Sequence, residues 1–120
     1  MTTPTSVPRS APDFSLHREP AAADTGDHDS KAEGMNMSGA KKAIVQVIPS
    51  AAQTPTAEVL FWSEEAGKYI SAQTALSFPG PGAGTPFTFT VDCNNQFIFV
   101  KITGITLVCK VMVAADELRA

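Results

Sequence analysis

Apolar and polar positions alternate most clearly between Pro86 and Val113, where three short runs rich in β-branched and aromatic residues follow one another. In the strand expected over 86–93, Phe87, Phe89 and Val91 alternate with Thr88, Thr90 and Asp92. That period of two is the mark of a half-buried strand. The strand expected over 96–102 sets Ile98, Val100 and Ile102 on one face and Phe97, Phe99 and Lys101 on the other. A third is expected over 105–113. Asn94-Asn95 separates the first two, and asparagine tolerates the left-handed backbone of a two-residue hairpin turn. A hairpin closed there pairs Val91 with Ile98, Phe89 with Val100 and Phe87 with Ile102. Closing the next on Thr103-Gly104 pairs Ile102 with Ile105, Val100 with Leu107 and Ile98 with Cys109. The expectation is a three-stranded meander with one continuous apolar face. If Gly104 instead holds the left-handed position of a three-residue loop, the second register slips and Phe97 and Phe99 join Cys109 and Leu107. In both registers Phe97 and Phe99 need cover, which places the middle strand inside a sandwich or barrel, or against another subunit.

Upstream, Lys41 to Ile48 carries β-branched bulk on both faces and is stopped by Pro49, which predicts a first strand. Residues 50–56 form a polar loop. Ala57–Trp62 and Lys68–Ala72 read as a hairpin across 63–67, with Trp62 facing Lys68 and Leu60 facing Ile70. Leu76 and Phe78 then lead into Pro79-Gly80-Pro81-Gly82-Ala83-Gly84, expected as a projecting connection between sheets. A phosphate-cradling loop would need a helix N-terminus after it, and here a strand follows. Residues 114–119 make a short polar end. The fold class is therefore all-β: a small antiparallel β-sandwich of jelly-roll or immunoglobulin-like size over 41–120, its strand order left open by the pattern.

Residues 1–40 behave differently. Pro4, Pro8, Pro12 and Pro20 interrupt a stretch of small and polar residues with few sizeable apolar groups. Such a segment cannot bury enough surface to offset its conformational entropy. It is expected as a long disordered or extended N-terminal arm, ordered only where it lies on something else, with Phe14-Ser15-Leu16 as its anchor. Met35 or Met37 could serve as an alternative start. Lys and Arg number three in residues 1–40 and six in 41–120, against six Asp and Glu in each, so the arm holds the whole net charge of −3. No clustered basic field of the kind that holds nucleic acid is present.

Candidate chemistry is sparse. Asp24-Thr25-Gly26 matches the short signature of aspartic proteases, whose paired carboxylates share a proton, but the flanking residues are not the apolar strand such a dyad needs. Asp24, Asp27, His28, Asp29 and Glu33 form an acidic patch without calcium-loop spacing. Cys93 and Cys109, on the outer strands of the expected meander, fall about 9–10 Å apart, too far for a disulfide. They are read as buried free thiols of a chain assembled in a reducing compartment. Neither His17 nor His28 lies in the expected domain, so no Ser-His or Cys-His pair forms within it. No cofactor, metal site or catalytic residue is expected. No basic stretch precedes an apolar one at the N-terminus, so no signal peptide is expected, and no apolar run reaches the ~18 residues of a membrane span.

Two functional expectations follow. One is a non-enzymatic structural or assembly protein, cytoplasmic or carried in a virion. It would be a homo-oligomer or part of a larger array of protein subunits, the arm reaching across neighbours, with no direct nucleic acid and no membrane partner. In shape this resembles the capsid or decoration proteins of bacterial viruses. A domain of about eighty residues is marginal alone, which favours self-association. The interface candidates are Phe14, Leu16, Trp62, Tyr69, Phe78, Phe97 and Phe99. The other expectation is a carbohydrate- or small-ligand-binding module built on Trp62, Tyr69 and the glycine-proline loop, because an exposed flat aromatic stacks on a sugar ring.

Overall fold

The strand after Lys41 shows best how the alternation becomes structure. In a computed structural model describing residues 14–116, Ala43, Val45, Val47 and Pro49 are buried, while Lys42, Ile44, Gln46 and Ile48 are half-exposed. In chain order the strands are β1 (Ser15–Arg18), β2 (Met35–Asn36), β3 (Lys42–Pro49), β4 (Thr56–Ser63), β5 (Lys68–Pro79), β6 (Phe87–Asp92), β7 (Phe97–Thr103) and β8 (Cys109–Ala115), with one 3-10 turn at Lys31–Glu33. They form two four-stranded antiparallel sheets, ordered β1-β8-β3-β6 and β2-β7-β4-β5. Val45, Val47, Val91, Val111 and Val113 from the first sheet meet Val59, Ile98, Val100 and Ile102 from the second in one buried cluster.

The expected meander does not form. β6 pairs with β3, β7 lies between β2 and β4, and β8 lies between β1 and β3. The local chemistry at Asn94-Asn95 is as expected: both take positive φ, 45° and 66°, and Gln96 N–H closes the turn on Cys93 C=O at 2.9 Å. The strands on either side then part into different sheets. Cys93 and Asn94 donate instead to Lys41 C=O, and Asn95 to Ala40 C=O. Val91 and Ile98, expected side by side, therefore belong to opposite sheets and share the core between them. Period two fixes which face of a strand is apolar, and a facing sheet satisfies that face as well as an adjacent strand does.

Four smaller differences accompany it. β8 begins at Cys109, because Gln53 fastens the loop before it. Its amide nitrogen donates to Leu107 C=O and its oxygen accepts from the Thr106 and Leu107 amides. The β4–β5 hairpin is offset by one residue, with Trp62 opposite Tyr69 and Ser63 opposite Lys68. β5 runs on to Pro79 past a bulge in which Ser71 and Leu76 face successive β4 residues, Leu60 and Val59. The cysteines are free and buried, but far apart along β3. The Cys93 amide bonds Lys41 C=O and Cys109 lies opposite Pro49, so eight residues of strand, roughly 26 Å, separate them.

Residues 14–40 do not extend away as an arm. They supply β1 at one edge of the first sheet and β2 at one edge of the second. The expectation for residues 1–13 lies outside the described residues.

Candidate interaction surfaces

β2 is two residues long and covers β7 only at Phe97 and Ile98. The rest of that edge is met by side chains. Val100 N–H donates to His17 Nε2 at 3.2 Å and Val100 C=O accepts from Arg18 at 3.0 Å. Ile102 N–H donates to Asp24 Oδ2 at 2.7 Å, and Ile102 C=O accepts from the Asp24 amide at 2.8 Å. Arg18 and Asp24 bind each other through both forks, one contact at 2.7 Å and the other, Nη2 to Oδ1, also close. Four main-chain groups that would otherwise pair with water or another chain are thus occupied. The pattern requires a neutral His17, since only an unprotonated ring nitrogen accepts. Burial, helped by the Arg18 charge, lowers its pKa to about 4.

Between Asp24 and Met35 the chain crosses the outer face of the second sheet and returns. His28 C=O accepts from Tyr69 N–H, and Lys31 C=O accepts from the Tyr69 hydroxyl at 2.7 Å. Underneath lies an outer apolar cluster of Leu60, Tyr69 and Phe99, with Trp62 and Phe97 beside it. The Phe99 ring is flanked by His28 at 4.5 Å, His17 at 5.8 Å and the Arg18 guanidinium at 4.7 Å. The cover that Phe97 and Phe99 were expected to need is supplied by the chain's own N-terminal segment. Gly34 is where this segment lies closest: a Cβ there would fall 2.0 Å from the Tyr69 hydroxyl and 2.5 Å from Ile98 C=O. Desolvation raises the Tyr69 pKa to about 12.

The ligand site expected at Trp62, Tyr69 and the glycine-proline loop is not assembled. Tyr69 is buried, and the loop begins at Gly80, bonded to Pro55 C=O at the other end of β4 from Trp62. Trp62 instead shares a groove of about 260 Å³ with Phe97, Lys31, Glu64, Asn95 and Gln96. Lys31 bonds Glu64 at 2.8 Å and sits 4.5 Å from the Phe97 ring centre. Lys31 depresses the Glu64 pKa, first by hydrogen bonding and then by charge, and the Trp62 side chain adds to the effect. The Trp62 indole nitrogen nevertheless has no hydrogen bond of normal geometry.

On the opposite side of the molecule, where β5 and β6 end their sheets, the N-terminal segment meets β5 at Tyr69, and among the described residues no strand pairs with the outer side of β5 or β6. Phe78 of β5 stacks on Phe89 of β6 at 4.0 Å and 7°, and both are half-buried. Beside them Lys42, Leu76, Thr90, Val91 and Asp92 line a groove of about 410 Å³. Of the remaining candidates, Phe14 is half-buried before β1, and Leu16 on β1 is 49% exposed. Arg18, Asp24, Gly34 and Gln53 were missed as organising residues. Only the fixed spacing of Arg18 and Asp24 offered a signal, and that spacing alone does not reveal a shared strand edge.

Asp24 of the Asp-Thr-Gly string is committed to Arg18 and Ile102. Burial raises the pKa of both thiols, holding them protonated and unreactive. Among the described residues no three His, Cys, Asp or Glu side chains converge as a metal site would require, and no helix is long and apolar enough to cross a membrane. No protein-family model, curated protein or solved structure matches the chain.

Proposed function

We propose that the chain is a non-enzymatic structural protein, a small β-domain that packs into or decorates a larger oligomeric array such as a bacterial-virus capsid. The observation that carries this reading is the unequal treatment of the two sides. One is sealed by the chain's own N-terminal segment, while the β5/β6 side keeps a stacked Phe78–Phe89 pair at an open groove. The strand order supports the finer architecture. The orders 1-8-3-6 and 2-7-4-5, in which only the β4–β5 connection stays within a sheet, fit an eight-stranded jelly-roll sandwich, an architecture used by capsid and lectin domains alike. His17 accepts from Val100 N–H and His28 packs on Phe99, positions that favour structural roles for both. Contact with neighbours is assigned to the open side, because residues 14–40 lie on the chain's own sheets. Sedimentation of the full chain over a concentration series tests this. A mass well above the 12.6 kDa of one chain is expected, and a monomer throughout would overturn the reading.

A second reading, a carbohydrate-binding module, is favoured by the groove in which Trp62 and Phe97 face a mutually neutralised Lys31–Glu64 pair and two side-chain amides. An aromatic wall with uncharged polar groups suits a neutral sugar ring. Titrating neutral monosaccharides while following Trp62 fluorescence and its iodide quenching checks it. A sugar-dependent loss of quenching supports this reading, and an unresponsive indole removes it.

A further inference from the structure

The four edge strands are not equally protected. β1 has four residues and an irregular register between Leu16 and Arg18; β2 has two residues; β5 carries the bulge opposite Val59 and Leu60. Short length, irregularity and bulges are the usual devices that stop an edge from recruiting another strand. β6 has none of them. It keeps an unbroken register with β3 from Phe87 to Asp92, carries no charge before Asp92, and no described strand pairs with its outer side.

Which main-chain groups face outward follows from the ladder. Cys93 N–H donates to Lys41 C=O, so the closely bonded pairs between β3 and β6 fall at odd-numbered β6 residues. The N–H and C=O groups of Thr88, Thr90 and Asp92 therefore point away from β3. We propose that this edge binds the β6 edge of a second copy, antiparallel, with a two-fold axis through Thr90. The inference deepens the assembly reading and rests on it.

The register is set by the sequence. Inward residues must meet inward residues if the two sheets are to continue as one. A two-fold at Thr90 pairs Thr88 with Asp92 of the other copy, Thr90 with Thr90, and Phe89 with Val91, so every outward main-chain group of the strand is used. A two-fold at Phe89 would set Pro86, which has no N–H, opposite Asp92. Thr–Thr and aromatic–β-branched pairs are favourable cross-strand neighbours. The second copy's Phe89 and Val91 would approach the groove lined by Leu76, Phe78 and Val91, which gives an added strand a side-chain site as well as a ladder.

The test uses exposed Thr90 in the full chain. Thr90→Lys and Thr90→Glu place like charges opposite one another, and each is expected to weaken self-association roughly tenfold; mixing the two in equal amounts restores it. Thr90→Cys gives a disulfide-linked dimer on mild oxidation, the buried native thiols staying reduced. If the unaltered chain associates but both charged variants associate equally well, or if Thr90→Cys forms no crosslink, the β6 contact is wrong and the assembly reading stands. If the unaltered chain is monomeric throughout, both fall.

Discussion

Along one side of the molecule, the outer backbone of β7 is met group by group: Val100 by His17 and Arg18, Ile102 by Asp24. Along the other, β6 ends its sheet at Thr88, Thr90 and Asp92 with no described strand beside it. Both strands have apolar inward faces and unpaired ladder groups to place. The difference lies in what the chain provides nearby. An N-terminal segment too poor in apolar residues to fold alone supplies polar side chains at the spacing that β7 requires, and its ordering cost is offset by the surface of Phe99 and Tyr69 that it covers. A segment that reads as disordered in isolation thus acts as a substitute strand once an edge is present to receive it.

The largest effect that would break this contrast comes from Asp24→Ala. It removes the carboxylate that neutralises Arg18 and leaves the Ile102 amide without its acceptor at a largely enclosed position, and about 3 kcal/mol of stability should be lost in denaturant titration. Asp24→Asn keeps an acceptor for Ile102 and should cost clearly less. Gly34→Ala comes next. The added methyl group cannot fit between the Tyr69 hydroxyl and Ile98 C=O without displacing the segment, and a loss of about 2 kcal/mol is expected, with faster proteolysis between residues 19 and 34.

Acid titration sharpens the comparison because one side contains a histidine and the β6 edge does not. The folded state holds His17 neutral down to about pH 4, whereas the unfolded chain takes up its proton near 6.5. The stabilisation is therefore complete above pH 6.5, shrinks as pH falls from there to about 4, and is flat below. The drop should be on the order of 1–2 kcal/mol after allowing for solvent screening, and His17→Gln, which can still accept from Val100, should remove it. The smallest effect belongs to the other side: Thr88→Lys, on the exposed face of β6, should change stability by no more than about 0.5 kcal/mol.

Much of the fold was legible. The all-β class, the existence of β3, the β4–β5 hairpin, the left-handed Asn94-Asn95 turn and the apolar faces of β6 and β7 all follow from local pattern and turn chemistry. Strand neighbours did not, for a physical reason. A two-residue turn followed by matched apolar faces reads as a hairpin, but the same face is satisfied when the chain arches between sheets and Val91 meets Ile98 across the core. The interface candidates divide in the same way. Phe97 and Phe99 were legible as apolar groups needing cover, yet the cover comes from His17, Arg18, His28 and Lys31, residues whose polarity suggested solvent. Phe78 stayed at an open side, because its stacking partner Phe89 lies on the neighbouring edge rather than beyond it.

Amide hydrogen exchange, followed residue by residue at low and high protein concentration, tests the contrast between the two sides most directly. Val100 and Ile102 should be protected at every concentration, while Thr88, Thr90 and Asp92 exchange quickly in dilute solution and slow down as the sedimenting mass rises. Val100 and Ile102 amides that exchange as fast as those of β6 in dilute solution would contradict it.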